Sequence, residues 1–429
     1  MAAIFTFGLF IYYRLVLRRY SKNGSTLAML LWSLYVALGL SGTFIALTGG
    51  IEPIFEPNYP ATLFLLASVI ISISGFLLFR TQNISLIFGA IRGQKIIENV
   101  LIFSQLCAMA YFLPFAISSL TGDANENRLF LSEKMETMGS FGLLNTLAGA
   151  ASQLFSSSLV LAFIRLAPKS NQDRDIFRVL LLVFSSLSFV IYILAYVGRD
   201  GVVYWLMTAA MIFLIFRNHL DPVDRNKITL VGLLGALIML IPFGMITVSR
   251  FFDADQGAGW SFFEYFGAQI HNFSDYSSID RPVTYGLQSF PMFVNGGCTV
   301  LGLNCPSWVD MKDIVFQQYL DQGKAPWLFG TFMSDFVGDF GNLGALVLIS
   351  GFSLVCASVC SSRISGKVFS LARLLLILFL YLVPFWGVFY FRFSISNSYI
   401  VVNLLFIFFV ALLQWLVSAP SIRHNLETK

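Results

Sequence analysis

Charge is scarce in this sequence. Lys, Arg, Asp and Glu make up 12% of its 429 residues, against roughly 25% in soluble domains. Histidine occurs three times and cysteine five times, and no HExxH pair is present. A P-loop, a paired-glycine dinucleotide fingerprint and a nucleophile elbow are absent as well. The polar segments on the side expected to face the cytoplasm are too short for a nucleotide-binding domain. ATP-driven chemistry is therefore not expected of this chain. The small net charge of +4 marks one side of a membrane rather than a nucleic-acid surface.

What the chain has instead is apolar bulk: 57% hydrophobic residues, with 45 phenylalanines. A helix needs about 20 apolar residues to cross the hydrocarbon core. Such runs occupy residues 1–17, 26–47, 59–78, 100–120, 142–166 and 179–197, then 202–216, 228–248, 336–359, 374–390 and 399–417. The expectation is an all-α polytopic membrane protein of about eleven transmembrane helices. Its parts are residues 1–248 with eight spans, a large periplasmic loop at 249–335 containing interfacial helices, and 336–429 with three spans and a cytoplasmic tail.

Lys and Arg set the orientation. Alternate loops hold Arg18, Arg19 and Lys22; Arg80, Arg92 and Lys95; Lys169, Arg174 and Arg178; Arg217, Arg225 and Lys227; and Arg363, Lys367 and Arg373. The opposite side keeps Arg128, Lys134, Arg199, Arg250, Arg281, Lys312, Lys324 and Arg392, together with most of the acidic residues. The N-terminus is thus expected outside and the C-terminus in the cytoplasm. Arg18 and Arg19 follow the first apolar run, the reverse of a signal peptide, so that run is expected to be an uncleaved helix.

The loop at 249–335 is where chemistry on a polar substrate is expected. Cys298 and Cys305 lie in it, and an oxidising compartment would pair them. Metal binding is the weaker alternative, because His271 is the one histidine on that side. Residues 260–271 suit an amphipathic helix lying at the interface, although aromatics belong at interfaces in any case. Ser307 opens a capping-box spacing that would start a helix toward Leu320.

Arginines on a side where positive charge is disfavoured are candidate anion ligands, since guanidinium matches phosphate bidentately. Arg199, Arg250, Arg281 and Arg392 qualify; the bland alternative is local pairing, as of Arg199 with Asp200, or contact with lipid headgroups. Asp335 and Asp339 lie four apart on one helical face where a span begins. Asp335 fits the helix dipole, while Asp339 lies deeper and is a functional candidate. His271, expected in a wet outward-facing loop, has a side chain suited to general-base work.

Three stretches carry a resemblance. They are Gly198-Arg199-Asp200-Gly201; Tyr265-Phe266-Gly267 with Phe273-Ser274-Asp275-Tyr276, Gly286 and Phe290-Pro291; and Gly330-Thr331 with Asp335 and Gly338-Asp339-Phe340-Gly341-Asn342-Leu343-Gly344. Together they resemble the Wzy-type O-antigen polymerases, membrane glycosyltransferases of GT-C type that share a superfamily with O-antigen ligases. Asp200 departs from the small residue usual in that family.

The resemblance implies polymerisation of undecaprenyl-diphosphate-linked oligosaccharide repeat units at the periplasmic face of a bacterial inner membrane. No metal or other cofactor is expected. Arg199, Arg250, Arg281 and Arg392 would hold diphosphate and acceptor, and His271 or Asp339 would be the base or positioning group. Trp260, Tyr265, Tyr276 and Tyr285 would contact sugar and polyprenyl. Membrane lipid, a chain-length regulator and a flippase are the expected partners. The alternatives are a ligase of the same superfamily and a lipid-linked oligosaccharide flippase; transporters tend to show repeated halves, which this sequence lacks.

Overall fold

The computed structural model describes residues 1–21, 25–48, 58–86, 93–121, 143–167, 175–196, 198, 200–251, 266–277, 282–306, 308–323, 330–361, 370–394 and 397–426. Among them, 85% are helical and no strand occurs. In chain order the helices are α1 (Ala2–Tyr12), α2 (Thr26–Leu47), α3 (Tyr59–Ser74), α4 (Gln94–Thr121), α5 (Leu143–Ser152), α6 (Phe155–Leu166), α7 (Ile176–Ser186) and α8 (Ser188–Ala195). They continue with α9 (Asp200–Phe216), α10 (Pro222–Phe251), α11 (Gln269–Tyr276), α12 (Pro291–Leu301), α13 (Trp308–Asp321), α14 (Phe332–Cys360), α15 (Leu371–Trp386) and α16 (Ser398–Leu426).

Seven of the segments are long and apolar enough to cross a membrane: α2, α4, α5–α6 together, α7–α8 together, α9, α14 and α16. The apolar helices α3 and α15 are shorter. The two remaining expected spans fall on α1 with its π-helical extension Tyr13–Leu17, and inside α10. Large apolar side chains stand exposed along these helices, among them Phe103, Leu143 and Leu343, as a lipid-facing surface requires. The chain is therefore a membrane protein.

Two compact units divide it, and they cut across the expected division at 249–335. One comprises Met1–Arg80, Gly259–Gly366 and Ile377–Ile400; the other comprises Thr81–Ala258, Lys367–Leu376 and Val401–Lys429.

In the first unit, α2 is tied to the end of α15 by two buried tyrosines. Tyr35 donates to the carbonyl of Pro384 (2.9 Å) and Tyr381 to that of Leu27 (3.1 Å). Pro384 lies within four residues of the helix end, where carbonyls have no intrahelical donor, so Tyr35 supplies one. Small residues bring α3 onto α14: a Cβ on Gly75 would lie 3.0 Å from Cys356 Cβ, and Ser353 donates to the Ile71 carbonyl (2.7 Å).

The second unit has a polar interior that the sequence reading missed. Glu98, on α4, is buried and accepts from Arg165 Nε (2.7 Å) and Nη2 (2.9 Å) on α6, from Arg178 Nη1 (3.1 Å) on α7, and from Gln94 (2.6 Å). Seven residues further along α4, Gln105 Oε1 accepts from Ser158 (2.8 Å) and Ser185 (3.0 Å). Advancing seven on α4 retreats seven on α6 and advances seven on α7, so α6 runs antiparallel to α4 and α7 parallel. Two polar layers thus fix the register of three apolar helices. In lipid, where dispersion and hydrogen bonds replace the hydrophobic drive, such layers specify which helices pair.

Candidate functional site

The site is built in the first unit around the start of α14. The backbone N–H groups of Thr331 and Phe332 donate to Phe389 and Gly387 (both 2.8 Å), and Thr331 Oγ1 accepts from Met333 N (3.3 Å). The orphan donors of the first helical turn are therefore partly satisfied by the stretch following α15. Nine residues later the helix breaks at Gly341, where φ is 67° and ψ 175°. The short segment in between carries Asp335 and Asp339.

Asp339 is fully buried, yet its carboxylate is well supplied. Oδ1 accepts from Thr284 Oγ1 (2.5 Å), Gly286 N (3.1 Å) and Gln288 N (3.0 Å), and Oδ2 accepts from Ser289 N (2.7 Å). Buried charge is tolerable when hydrogen-bonded in this way. Backbone bonds from Thr284 N to Gly338 O and Tyr285 N to Asp339 O complete the dock. The turn 284–289 is thereby wrapped around one side chain. Asp339 was expected as a base or positioning group; both of its oxygens are engaged by hydrogen bonds.

The same turn is strained. Among the described residues, the two non-glycine positions with positive φ are Tyr285 (49°) and Thr331 (69°), and both belong to this assembly. Such strain persists where its surroundings over-determine it, and it clusters at functional sites. Here it presents the Tyr285 ring to the exterior at 76% exposure.

Asp335 links the turn to the segment after α15. Its Oδ1 accepts from Gln288 Nε2 and its Oδ2 from Phe391 N, both at 2.7 Å. Arg392 follows directly, in the 3-10 turn Arg392–Ser394, so Asp335 determines where the Arg392 backbone begins. Asn397 closes the circuit: it accepts from Met292 N (3.0 Å) and donates to the carbonyls of Ser289 (3.0 Å) and Phe393 (2.7 Å).

Directly beside these polar groups lies an apolar recess of about 220 Å3, lined by Phe290, Phe336, Phe379, Phe391 and Phe393 with aliphatic neighbours from α14, α15 and Ile400. Phe336 and Phe391 pack with ring centroids 4.9 Å apart, and Phe290 and Phe391 at 5.3 Å. Phe391 belongs to both parts: its N–H holds Asp335 while its ring lines the recess.

Compared with known protein families, curated proteins and solved structures, the chain matches none. The family resemblance therefore rests on the chain's own residues.

The remaining expected site residues separate sharply. Arg199, Arg281, Trp260 and Tyr265 lie outside the described residues, as does the side chain of Arg250 near the end of α10. Tyr276 is not an open platform: it is buried edge-on against Tyr319 of α13 (centroids 5.0 Å) beside Val315. Cys298 and Cys305 form the expected disulfide, and α13 forms where the Ser307 spacing placed it.

His271 corrects an expectation. It was read as outward-facing, yet α11 is buried along its whole length and His271 is only 6% exposed. Glycine contacts explain the burial: a Cβ on Gly42 of α2 would fall 2.6 Å from the Gly267 carbonyl, so the chain entering α11 presses onto α2. A Cβ on Gly330 would fall 3.0 Å from the Tyr276 ring and 3.2 Å from Phe273 N, which brings α11 onto the segment leading into α14. Desolvation lowers the His271 pKa below its ordinary value; the N-terminal ammonium acts the same way, and a hydrogen bond with the Gly42 backbone opposes both. Among the described residues, His271 Nε2 has no hydrogen-bond partner.

Thr284, Gln288 and Asn397 were missed by sequence reasoning. Their roles depend on contacts spanning roughly fifty to a hundred residues, and no local spacing announces them.

Proposed function

We propose that the chain is a membrane glycosyltransferase that polymerises oligosaccharide repeat units carried on a polyprenyl diphosphate. One observation carries this reading: an exposed aromatic ring and a guanidinium-bearing turn stand on a single hydrogen-bonded frame, beside an aromatic apolar recess. That combination suits an amphiphile with sugar, anionic linker and hydrocarbon tail, and fits a metal-independent transfer.

In this reading, the bond between the sugar anomeric carbon and the diphosphate oxygen breaks. A new bond forms from that carbon to an acceptor hydroxyl on the next lipid-linked unit. The hydroxyl proton passes to a base, and polyprenyl diphosphate leaves. Arg392, with Arg199, Arg250 and Arg281, would stabilise the departing negative charge. Tyr285 would stack on a sugar, and Asp335 and Asp339 would hold Arg392 and Tyr285 in place. His271, neutral near pH 7 because of its lowered pKa, is the proton acceptor. The loop at 249–335 faces the periplasm of a bacterial inner membrane, consistent with the Lys and Arg asymmetry.

The test uses purified protein in proteoliposomes with lipid-linked repeat units. A ladder of extended glycans that Arg392→Ala abolishes supports the reading. Transfer to lipid A core would make the chain a ligase, and translocation without a new glycosidic bond would make it a flippase.

A further inference from the structure

The segment that follows the strained turn has an unusual make-up. Residues 282–309 contain no Asp, Glu, Lys or Arg. Within them, α12 has no buried residue, and Val300, Leu301 and Leu303 are 86%, 72% and 57% exposed. A soluble face of this kind would be an aggregation hazard.

Its base is firmly held. Met292 N donates to Asn397 (3.0 Å), Phe290 N donates to the Gly286 carbonyl (2.7 Å), and a Cβ on Gly286 would lie 3.4 Å from Phe340 Cζ of α14. Leu343, one turn along α14, is 76% exposed and starts the lipid-facing stripe that continues through Val347 and Leu354. The exposed face of α12 thus adjoins a surface already read as membrane-facing.

Several polar groups of the element are satisfied internally. Thr299 Oγ1 donates to the Asn295 carbonyl (2.8 Å). At the C-terminus, Gly302 adopts φ 66°, and N–H groups of Leu303 and Gly302 return to the carbonyls of Cys298 (2.9 Å) and Thr299 (3.3 Å). This left-handed cap quenches carbonyls that water would otherwise serve. The Cys298–Cys305 disulfide then closes the tip. Internal satisfaction of backbone and side-chain groups is what hydrocarbon demands and water does not.

We infer that α12 and its disulfide-closed tip form a prong seated in the outer leaflet of the bilayer, with Val300, Leu301 and Leu303 among the acyl chains. At 1.5 Å per residue, a helix of this length reaches about half of the roughly 30 Å hydrocarbon core. It cannot span; it anchors. The prong fixes the height of the Tyr285 turn and of the apolar recess relative to the lipid surface, and it does so whatever the reaction performed there.

The experiment uses the native chain, one copy per nanodisc. Hydroxyl-radical footprinting is run beside photolabelling with phospholipids carrying a diazirine on the acyl chain. The expected result is several-fold slower oxidation of Met292, Phe293, Val300, Leu301 and Leu303 than of Ile314 and Leu320 on α13, together with diazirine labelling of peptide 291–306. Oxidation as fast as on α13 would place the prong in water and overturn the inference. Protection without acyl-chain labelling would mean that protein covers it, which overturns the inference equally. Neither result depends on glycosyl transfer, so this test and the polymerase assay fail separately.

Discussion

At the scale of single residues, Asp339 and Tyr285 make opposite predictions. Asp339→Ala strands four donors, three of them buried and each of these worth about 1–3 kcal/mol when left unpaired, so thermal unfolding should shift strongly downward. Thr284→Val removes one of these bonds and should cost only about 1 kcal/mol. Tyr285→Gly relieves a left-handed conformation costing roughly 1 kcal/mol while deleting the ring. Its melting temperature should hold or rise while glycan extension falls; a fall in both would make the tyrosine structural. His271 adds a pH signature. Because its folded pKa lies below the unfolded value of about 6.5, the unfolded state binds the proton more readily. Stability should be level above that value and decline as pH falls through the window down to the folded pKa. His271→Gln should flatten this acid branch in melts from pH 7.5 to 5, and an unaltered profile would remove histidine from the explanation.

What the sequence reveals at this scale is uneven. The paired acids of α14 and the two loop cysteines are legible because four-residue spacing and compartment chemistry are local properties. The burial of His271 is not, since it depends on Gly42 and Gly267, far apart in sequence, meeting without side chains between them. Tyr276 looks like any interfacial aromatic until Tyr319 is seen against it. Asp339 could be flagged as deep, but its four donors all come from a turn some fifty residues earlier.

At the scale of elements, apolar run length marked most helices well, whereas their partners had to be found in the fold. The register of α4, α6 and α7 depends on Glu98, Gln105, Ser158, Arg165, Arg178 and Ser185, residues that hydropathy treats as blemishes. A buried ion pair is often no more stable than an apolar substitute, but breaking one side of it is costly. Glu98→Leu or Arg165→Met alone should destabilise by about 3–5 kcal/mol, and the double variant should be markedly milder. Arg178 keeps Asp175 as a partner at 3.4 Å, which helps the double variant survive. Equal losses in all three variants, measured by thermal unfolding in detergent, would mean that the polar layers do not act as a pairing device.

At the scale of the whole molecule, one unit carries the strained turn, the two acids, Arg392 and the recess, and the other carries the polar layers. The proposed division of labour is that the first unit holds the frame that presents Tyr285, Arg392 and the recess, while the polar layers of the second serve membrane-embedded architecture. Variants of the polar layers should therefore lower the amount of folded protein in proportion to activity, leaving activity per folded molecule near the native level. Arg392→Lys should recover only part of the activity lost in Arg392→Ala if the contact is bidentate.

The most direct test of the central claim, that a frame set by Asp335 and Asp339 serves glycosyl transfer from a polyprenyl diphosphate, is reconstitution with a defined lipid-linked repeat unit. Native protein should yield a glycan ladder and release polyprenyl diphosphate in matching amounts, while folded Arg392→Ala should yield neither. Native protein that leaves the repeat unit intact, or an Arg392→Ala variant that extends it as fast as the native chain, would contradict the account.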